Sequence, residues 1–141
     1  AEFLASQLKV KRVWISNPTW ANHNTIFEAA GLTCEKYNYR DSASNGLNFD
    51  AMCASIKTIP KGDVILLHGC CHNPTGQDLD PSQWAAVAEV LARRRLIPFL
   101  DMAYHGLGED LDRDAASVRL IAKAVPELLI AVSCSMTYQP L

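Results

Sequence analysis

The sequence predicts an α/β fold, a three-layer α/β/α arrangement on a mostly parallel sheet, and three observations carry that prediction. Short β-rich apolar runs alternate along the chain with segments of helical period. Val64-Ile65-Leu66-Leu67-His68 is nearly continuous in apolar residues, as a strand covered on both faces requires. Asp80-Pro81-Ser82-Gln83 joins a capping aspartate, a proline at the first helical position and a glutamine at the reciprocal capping position.

The elements follow in order. Arg12 to Ser16 reads as a strand, followed by a loop and a helix from about Asn22 that Gly31 closes as a C-cap glycine. Thr33 to Tyr39 is a second strand. Asn48 caps a short helix whose Phe49, Met52, Cys53 and Ile56 recur at helical spacing and form a packing stripe. Lys61-Gly62-Asp63 breaks the chain before the Val64 strand. The helix capped by Asp80 runs to about Arg95 with Trp84, Val87, Val90 and Leu91 inward, and Arg93-Arg94-Arg95 reads as its solvated end, favoured by the helix dipole. Leu96 to Asp101 is the next strand. Asp112 caps a helix carrying Val118, Ile121, Ala122 and Val125, and Leu128 to Ser133 is the last apolar strand. Right-handed crossovers are expected between the parallel strands.

The 141 residues are 49% hydrophobic, enough for one domain, and contain no repeat, low-complexity tract or interdomain linker. Thirteen basic against fifteen acidic residues give a net charge of -2, which disfavours nucleic acid and anionic membranes as partners. No apolar run is long enough to cross a bilayer, and Ala1-Glu2-Phe3-Leu4 lacks the layout of a secretory signal, so a cytoplasmic protein is expected. Five cysteines, Cys34, Cys53, Cys70, Cys71 and Cys134, are odd in number and two are adjacent, which suits reduced thiols better than a disulfide framework.

In an open parallel sheet the ligand site lies beyond the carboxyl ends of the strands. Four polar clusters fall there: Asn17 to His23, His68 to Gly76, Asp101 to Tyr104, and Ser133 to Ser135. Each has an ordinary explanation as turn or capping chemistry. Together, an indole, an amide, a carboxylate, a phenol and two hydroxyls make a cradle for a flat, phosphorylated aromatic ligand. The alternatives are weaker. His68, Cys70, Cys71 and His72 lack metal-ligand spacing, and adjacent side chains on an extended segment diverge, so no metal is expected. Gly106-Leu107-Gly108 is only a fragment of a dinucleotide fingerprint. Cys71 and Cys134 have no activating neighbour in the sequence and read as inert thiols.

Ser16-Asn17-Pro18-Thr19-Trp20, His68 to Gly76, Asp101-Met102-Ala103-Tyr104 and Ser133-Cys134-Ser135 resemble the aspartate and aromatic aminotransferases, pyridoxal-phosphate enzymes of fold type I. The resemblance runs from about Ala1 to Ser135. It implies that residues 1–135 are a partial large domain and 136–141 a divergent tail. It also implies that Trp20 stacks on the pyridoxal ring, that Asn73 and Tyr104 donate to the ring phenolate oxygen, and that Asp101 pairs with the pyridine nitrogen. His23 would support Asp101, and Ser133 and Ser135 would serve the phosphate. The implied reaction is transamination of aspartate or aromatic amino acids with 2-oxoglutarate, in a homodimer.

The sequence departs from that family at its central position. Where the family has the lysine that forms the Schiff base and moves the α-proton, this chain has Met136, whose thioether can do neither. The family's glycine-rich phosphate loop and its two substrate and phosphate arginines have no counterpart in these 141 residues. None of Lys9, Lys11, Lys36, Lys57, Lys61 and Lys123 sits where a substitute would be expected. The chain by itself is therefore expected to be a non-catalytic α/β domain that binds the cofactor weakly and noncovalently at most, with exposed edges that favour self-association.

Overall fold

A computed structural model of the chain describes residues 1–41 and 43–133. Strands β1 (Arg12–Asn17), β2 (Thr33–Asn38), β3 (Val64–His68), β4 (Ile97–Met102) and β5 (Leu129–Val132) form one sheet in the order β2-β1-β3-β4-β5. Every strand pair is parallel, so the sheet is wholly parallel where the sequence predicts a mostly parallel one. Helices α1 (Glu2–Ser6), α2 (Asn22–Ala29), α3 (Phe49–Thr58), α4 (Pro81–Arg94), α5 (Leu111–Asp114) and α6 (Ala116–Ala124) supply the flanking layers.

Side chains alternate across a strand, so the apolar run of β3 feeds both layers at once. Val64 and Leu66 join Val13, Ile15, Leu4 of α1 and Phe27 of α2 on one face. Ile65 and Leu67 join Met52 and Ile56 of α3, Trp84, Val87 and Leu91 of α4, and Ile121 of α6 on the other. The predicted box at α4 is present: Asp80 Oδ1 accepts the Gln83 amide, and Gln83 Oε1 accepts the Asp80 amide, both at 2.9 Å. The Asn48 side chain caps α3 through the Ala51 amide at 3.1 Å. Gly31, at φ +78°, ends α2 with its own amide on the Glu28 carbonyl and the Leu32 amide on the Phe27 carbonyl.

Several details differ from the sequence expectation. Asp110, not Asp112, caps the segment after β4, accepting the Arg113 amide at 2.8 Å, while Asp112 pairs with Arg119. The run Glu109-Asp110-Leu111-Asp112-Arg113-Asp114 offers three aspartates, and only Asp110 has the extended backbone a cap needs. Ala122 faces solvent and Val90 is half-buried. Helices α2 and α6 start without any side-chain cap, and α1 has no counterpart in the sequence reading. Arg94 is not simply solvated, because its Nη2 donates to the Ile59 carbonyl at 2.7 Å and ties α4 to the end of α3. Strand β5 lies at the sheet edge with Ile130 and Val132 exposed.

The feature that makes room for a site is the parting of β1 and β3. Their register covers Val13↔Val64 and Trp14↔Ile65, and beyond it the strands separate. The Leu66 carbonyl instead accepts the buried Tyr37 hydroxyl of β2 at 3.0 Å. From here one connection leads outward to β2 and the other to β4, the arrangement at which open α/β sheets form a crevice.

Candidate functional site

The segments leaving β1, β3, β4 and β5 at their carboxyl ends enclose a cleft of about 310 Å³. Of the residues singled out in the sequence, Trp20, Asn73, Asp101, Tyr104 and Ser133 line it. His23 is buried behind Asp101, while Ser135 and Met136 lie outside the described residues.

Asp101 is placed by its strand, opposite His68 in the parallel register of β3 and β4. Its Oδ1 accepts the Ala103 amide at 3.1 Å, and its Oδ2 stands 3.0 Å from His23 Nε2. Burial by itself would raise the Asp101 pKa, but the His23 hydrogen bond, the nearby imidazoles and the Ala103 amide outweigh it and hold the carboxyl below its ordinary range. An ionised carboxylate can only accept, so the proton of this contact sits on His23 Nε2. At the other ring nitrogen, Thr19 Oγ1 lies 2.8 Å from His23 Nδ1 and fixes the ring's orientation. The Trp20 indole stands edge-on to the same imidazole, with ring centroids 5.3 Å apart and planes at 89°.

His68 and His72 belong to the site's frame, although the sequence suggests for them only a weak metal reading. His68 Nδ1 accepts the Asn73 amide at 3.2 Å. Burial, reinforced by His23, lowers its pKa to about 4. The ring is therefore neutral near pH 7 with its proton on Nε2, a buried atom with no hydrogen-bond partner among the described residues. His72 is held between Ser16 Oγ at 3.0 Å and Thr75 Oγ1 at 2.9 Å, and it stacks on Tyr39 with centroids 3.8 Å apart. Burial, then His68, lowers its pKa to about 3. The imidazole of His72 thus braces the gap where β1 and β3 part. The signal for this role was available in part: His68 closes a strand whose neighbour ends in Asp101, and polar residues at adjacent strand ends share one rim.

One set among the described residues has metal-ligating atoms within 4.8 Å of one another, namely His23, His68 and Asp101. It is not the His68, Cys70, Cys71 and His72 set weighed from the sequence. Coordination by His68 Nε2 would move its proton to Nδ1, facing the Asn73 amide donor, so the tautomer opposes it. The glycines of Gly106-Leu107-Gly108 do not offer their amides to a ligand either. Gly106 and Gly108 donate to the Asp114 carboxylate at 2.8 and 3.0 Å. Cys70 and Cys71 do not lie on an extended segment: Cys71 has φ +51°, a left-handed turn, and both residues line the cleft.

Comparison with known proteins finds relatives that match nearly the whole chain. The tyrosine aminotransferase of Klebsiella pneumoniae is 48% identical over 138 residues, covering 98% of this chain and 35% of that protein. The aromatic-amino-acid aminotransferase of Pseudomonas aeruginosa is 48% identical over 97% of this chain and 34% of its own length. Among solved structures, the aromatic-amino-acid aminotransferase of Burkholderia pseudomallei, covalently bound to pyridoxal phosphate, superposes with a TM-score of 0.90 at 46% identity, covering 95% of this chain and 34% of that one. The aspartate aminotransferase of Trypanosoma cruzi gives 0.91 at 44% identity, covering 95% of this chain and 35% of that one. The chain thus spans about a third of the length of the relatives it matches. With the family profile of class I and II aminotransferases matching residues 1–138, the chain belongs to that family.

Proposed function

We propose that this chain carries the ring-binding part of a pyridoxal-phosphate site, within a protein type that transfers amino groups between aspartate or aromatic amino acids and 2-oxoglutarate. The observation that supports this reading most strongly is Asp101, an ionised carboxylate backed by His23 and facing a cleft that also presents Asn73 and Tyr104. A cleft of about 310 Å³ with an anionic acceptor, neutral donors and an indole suits a flat nitrogen heterocycle. When bound, pyridoxal phosphate supplies a protonated pyridine ring that accepts electrons from a substrate carbon.

The chain's own residues divide the binding work. Asp101 is suited to keeping a proton on a ring nitrogen. Asn73 Nδ2 donates to the Tyr104 hydroxyl at 3.4 Å, which leaves the phenol proton for an acceptor in the cleft. Trp20, 40% exposed at the mouth, offers a flat face to a ring. Ser133 and Ser135 are assigned to the phosphate end. Residues 1–135 are then part of a large domain and 136–141 a divergent tail, in a parent read as a cytoplasmic homodimer. No helix among the described residues is long and apolar enough to cross a membrane.

A second reading concerns the chain by itself: it is non-catalytic and binds the cofactor weakly and noncovalently. Met136 supports this, and so does the placement of the lysines, because none lines the cleft. Lys9, Lys11 and Lys61 lie at the opposite, amino-terminal end of the sheet. Lys36 bonds Asn24, Lys57 lies in the last turn of α3 and Lys123 in that of α6.

The test is to incubate the chain with pyridoxal phosphate, follow Trp20 fluorescence, then reduce with borohydride and map any attached cofactor by mass spectrometry. Reversible quenching that Asp101→Ala abolishes is expected, without a lysine adduct. Met136→Lys should then gain attachment at residue 136. Quenching indifferent to Asp101→Ala would overturn the ring-site reading, and one specific lysine adduct in the unsubstituted chain would overturn the non-catalytic one.

A further inference from the structure

Cys70 and Cys71 are neighbours in the turn after β3, and both line the cleft. Their backbone is fixed from both sides. The Gly69 amide donates to the Asp101 carbonyl at 2.9 Å, and the Gly69 carbonyl accepts the Ser117 hydroxyl at 2.9 Å. The Cys71 and His72 amides both end on the Asp78 carboxylate, at 2.6 and 2.7 Å. Within this frame Cys71 takes a left-handed backbone, and the two successive cysteines border the same cleft. Of the other described cysteines, Cys34 lies on β2 and Cys53 on α3.

We infer that Cys70 and Cys71 form a vicinal dithiol site that captures trivalent organoarsenic oxides at the wall of the cleft. The chemistry asks for two sulfurs held together, because a monosubstituted arsenic(III) oxide has two arsenic–oxygen bonds to exchange. Both are replaced by arsenic–sulfur bonds, and the two thiol protons leave with the oxygen as one molecule of water. Arsenic stays trivalent, so no oxidant or reductant is consumed. Fixing the backbone of two successive cysteines in one turn lowers the ordering cost of forming the ring.

Protonation separates this reaction from ordinary alkylation. Burial, helped by Cys71 and nearby carboxylates, pushes Cys70 up to about 12, and burial also raises Cys71. Alkylating agents need the thiolate and are slow against such groups. An arsenical oxide brings its own proton acceptor.

The experiment uses the whole reduced chain and phenylarsine oxide. One equivalent should bind, seen as the mass of one phenylarsenic group less two hydrogens, and the adduct should resist a monothiol but release to a small 1,2-dithiol. Cys70→Ser and Cys71→Ser should each lose it, whereas Cys34→Ser, Cys53→Ser and Cys134→Ser should keep it. Retention in either of the first two variants, loss in any of the last three, or equal release by a monothiol overturns the proposal. Peptide mapping of the unsubstituted adduct decides the matter without any variant: label on the peptide holding residues 70 and 71 supports the site, and label elsewhere refutes it.

Discussion

His23 Nε2 stands 3.0 Å from Asp101 Oδ2 across 78 residues of sequence, and this contact ties the segment after β1 to the end of β4. It is the first of the influences that outweigh burial at Asp101 and keep the carboxyl ionised. His23→Ala should therefore let the desolvation of Asp101 prevail, raising its pKa. A carbon-13 NMR titration of the Asp101 carboxyl reads this directly, and an unchanged midpoint would remove His23 as the cause. Because a depressed carboxylate pKa contributes stability above the unfolded value and loses it as pH falls through the folded one, the variant should also lose stability at neutral pH. The loss expected for a buried acceptor stripped of its partner is about 1–3 kcal/mol.

The two neutral imidazoles make an opposite pair of cases with a shared sign. His68 and His72 titrate at about 4 and about 3 in the folded chain, against 6.5 for an ordinary histidine. Below about pH 6.5 the unfolded chain takes up protons that the folded chain refuses, so stability is full above that pH and falls as pH drops toward 4. Urea denaturation at about pH 7.5 and about pH 5 should show a clear fall in midpoint. His72→Gln, which keeps polar atoms for Ser16 and Thr75, should flatten that fall. A midpoint independent of pH across this range would contradict the burial of both rings.

How much of this was legible depends on range. Local chemistry was readable: Asp80 with Gln83, Asn48 with the Ala51 amide, and the apolar Val64–Leu67 run each state their structure within a few residues. Where several residues compete for one local role, the sequence misleads, as with Asp110 and Asp112. The cleft itself was legible because strand ends converge in a parallel sheet, which places Asn73, Asp101 and Tyr104 on one rim without any knowledge of their contacts. The bracing of the gap between β1 and β3 was not. Ser16 meets His72 only because the strands part and the chain turns at Cys71, and both depend on the packed fold rather than on any local pattern.

Strand β5 predicts association. It forms the sheet edge beside β4, with Ile130 47% and Val132 60% exposed. An apolar edge with unpaired backbone groups is a template for another strand. The chain should show concentration-dependent self-association by size-exclusion chromatography, and the Ile130→Lys, Val132→Lys double variant should reduce it by placing charge on that edge. A clean monomer at high concentration would refute this.

Gly69, in the turn between His68 and Cys70, predicts the tightest constraint of any glycine in the chain. A Cβ added there would stand 2.2 Å from Met102 Sδ and 3.2 Å from Ser117 Oγ. Neither neighbour can swing away, since Met102 is 2% and Ser117 3% exposed, and the Ser117 hydroxyl is itself bonded to the Gly69 carbonyl. Gly69→Ala should therefore cost about 1–3 kcal/mol, the range for overpacking a filled core, and lower the Tm accordingly. The clash is specific enough to test by coupling. Met102→Ala removes the thioether that the new methyl would meet, so the double variant should be more stable than the sum of the two single losses predicts, by about 0.5–3 kcal/mol for directly touching sites. Strict additivity would mean that the strain at Gly69 arises from its backbone and not from Met102.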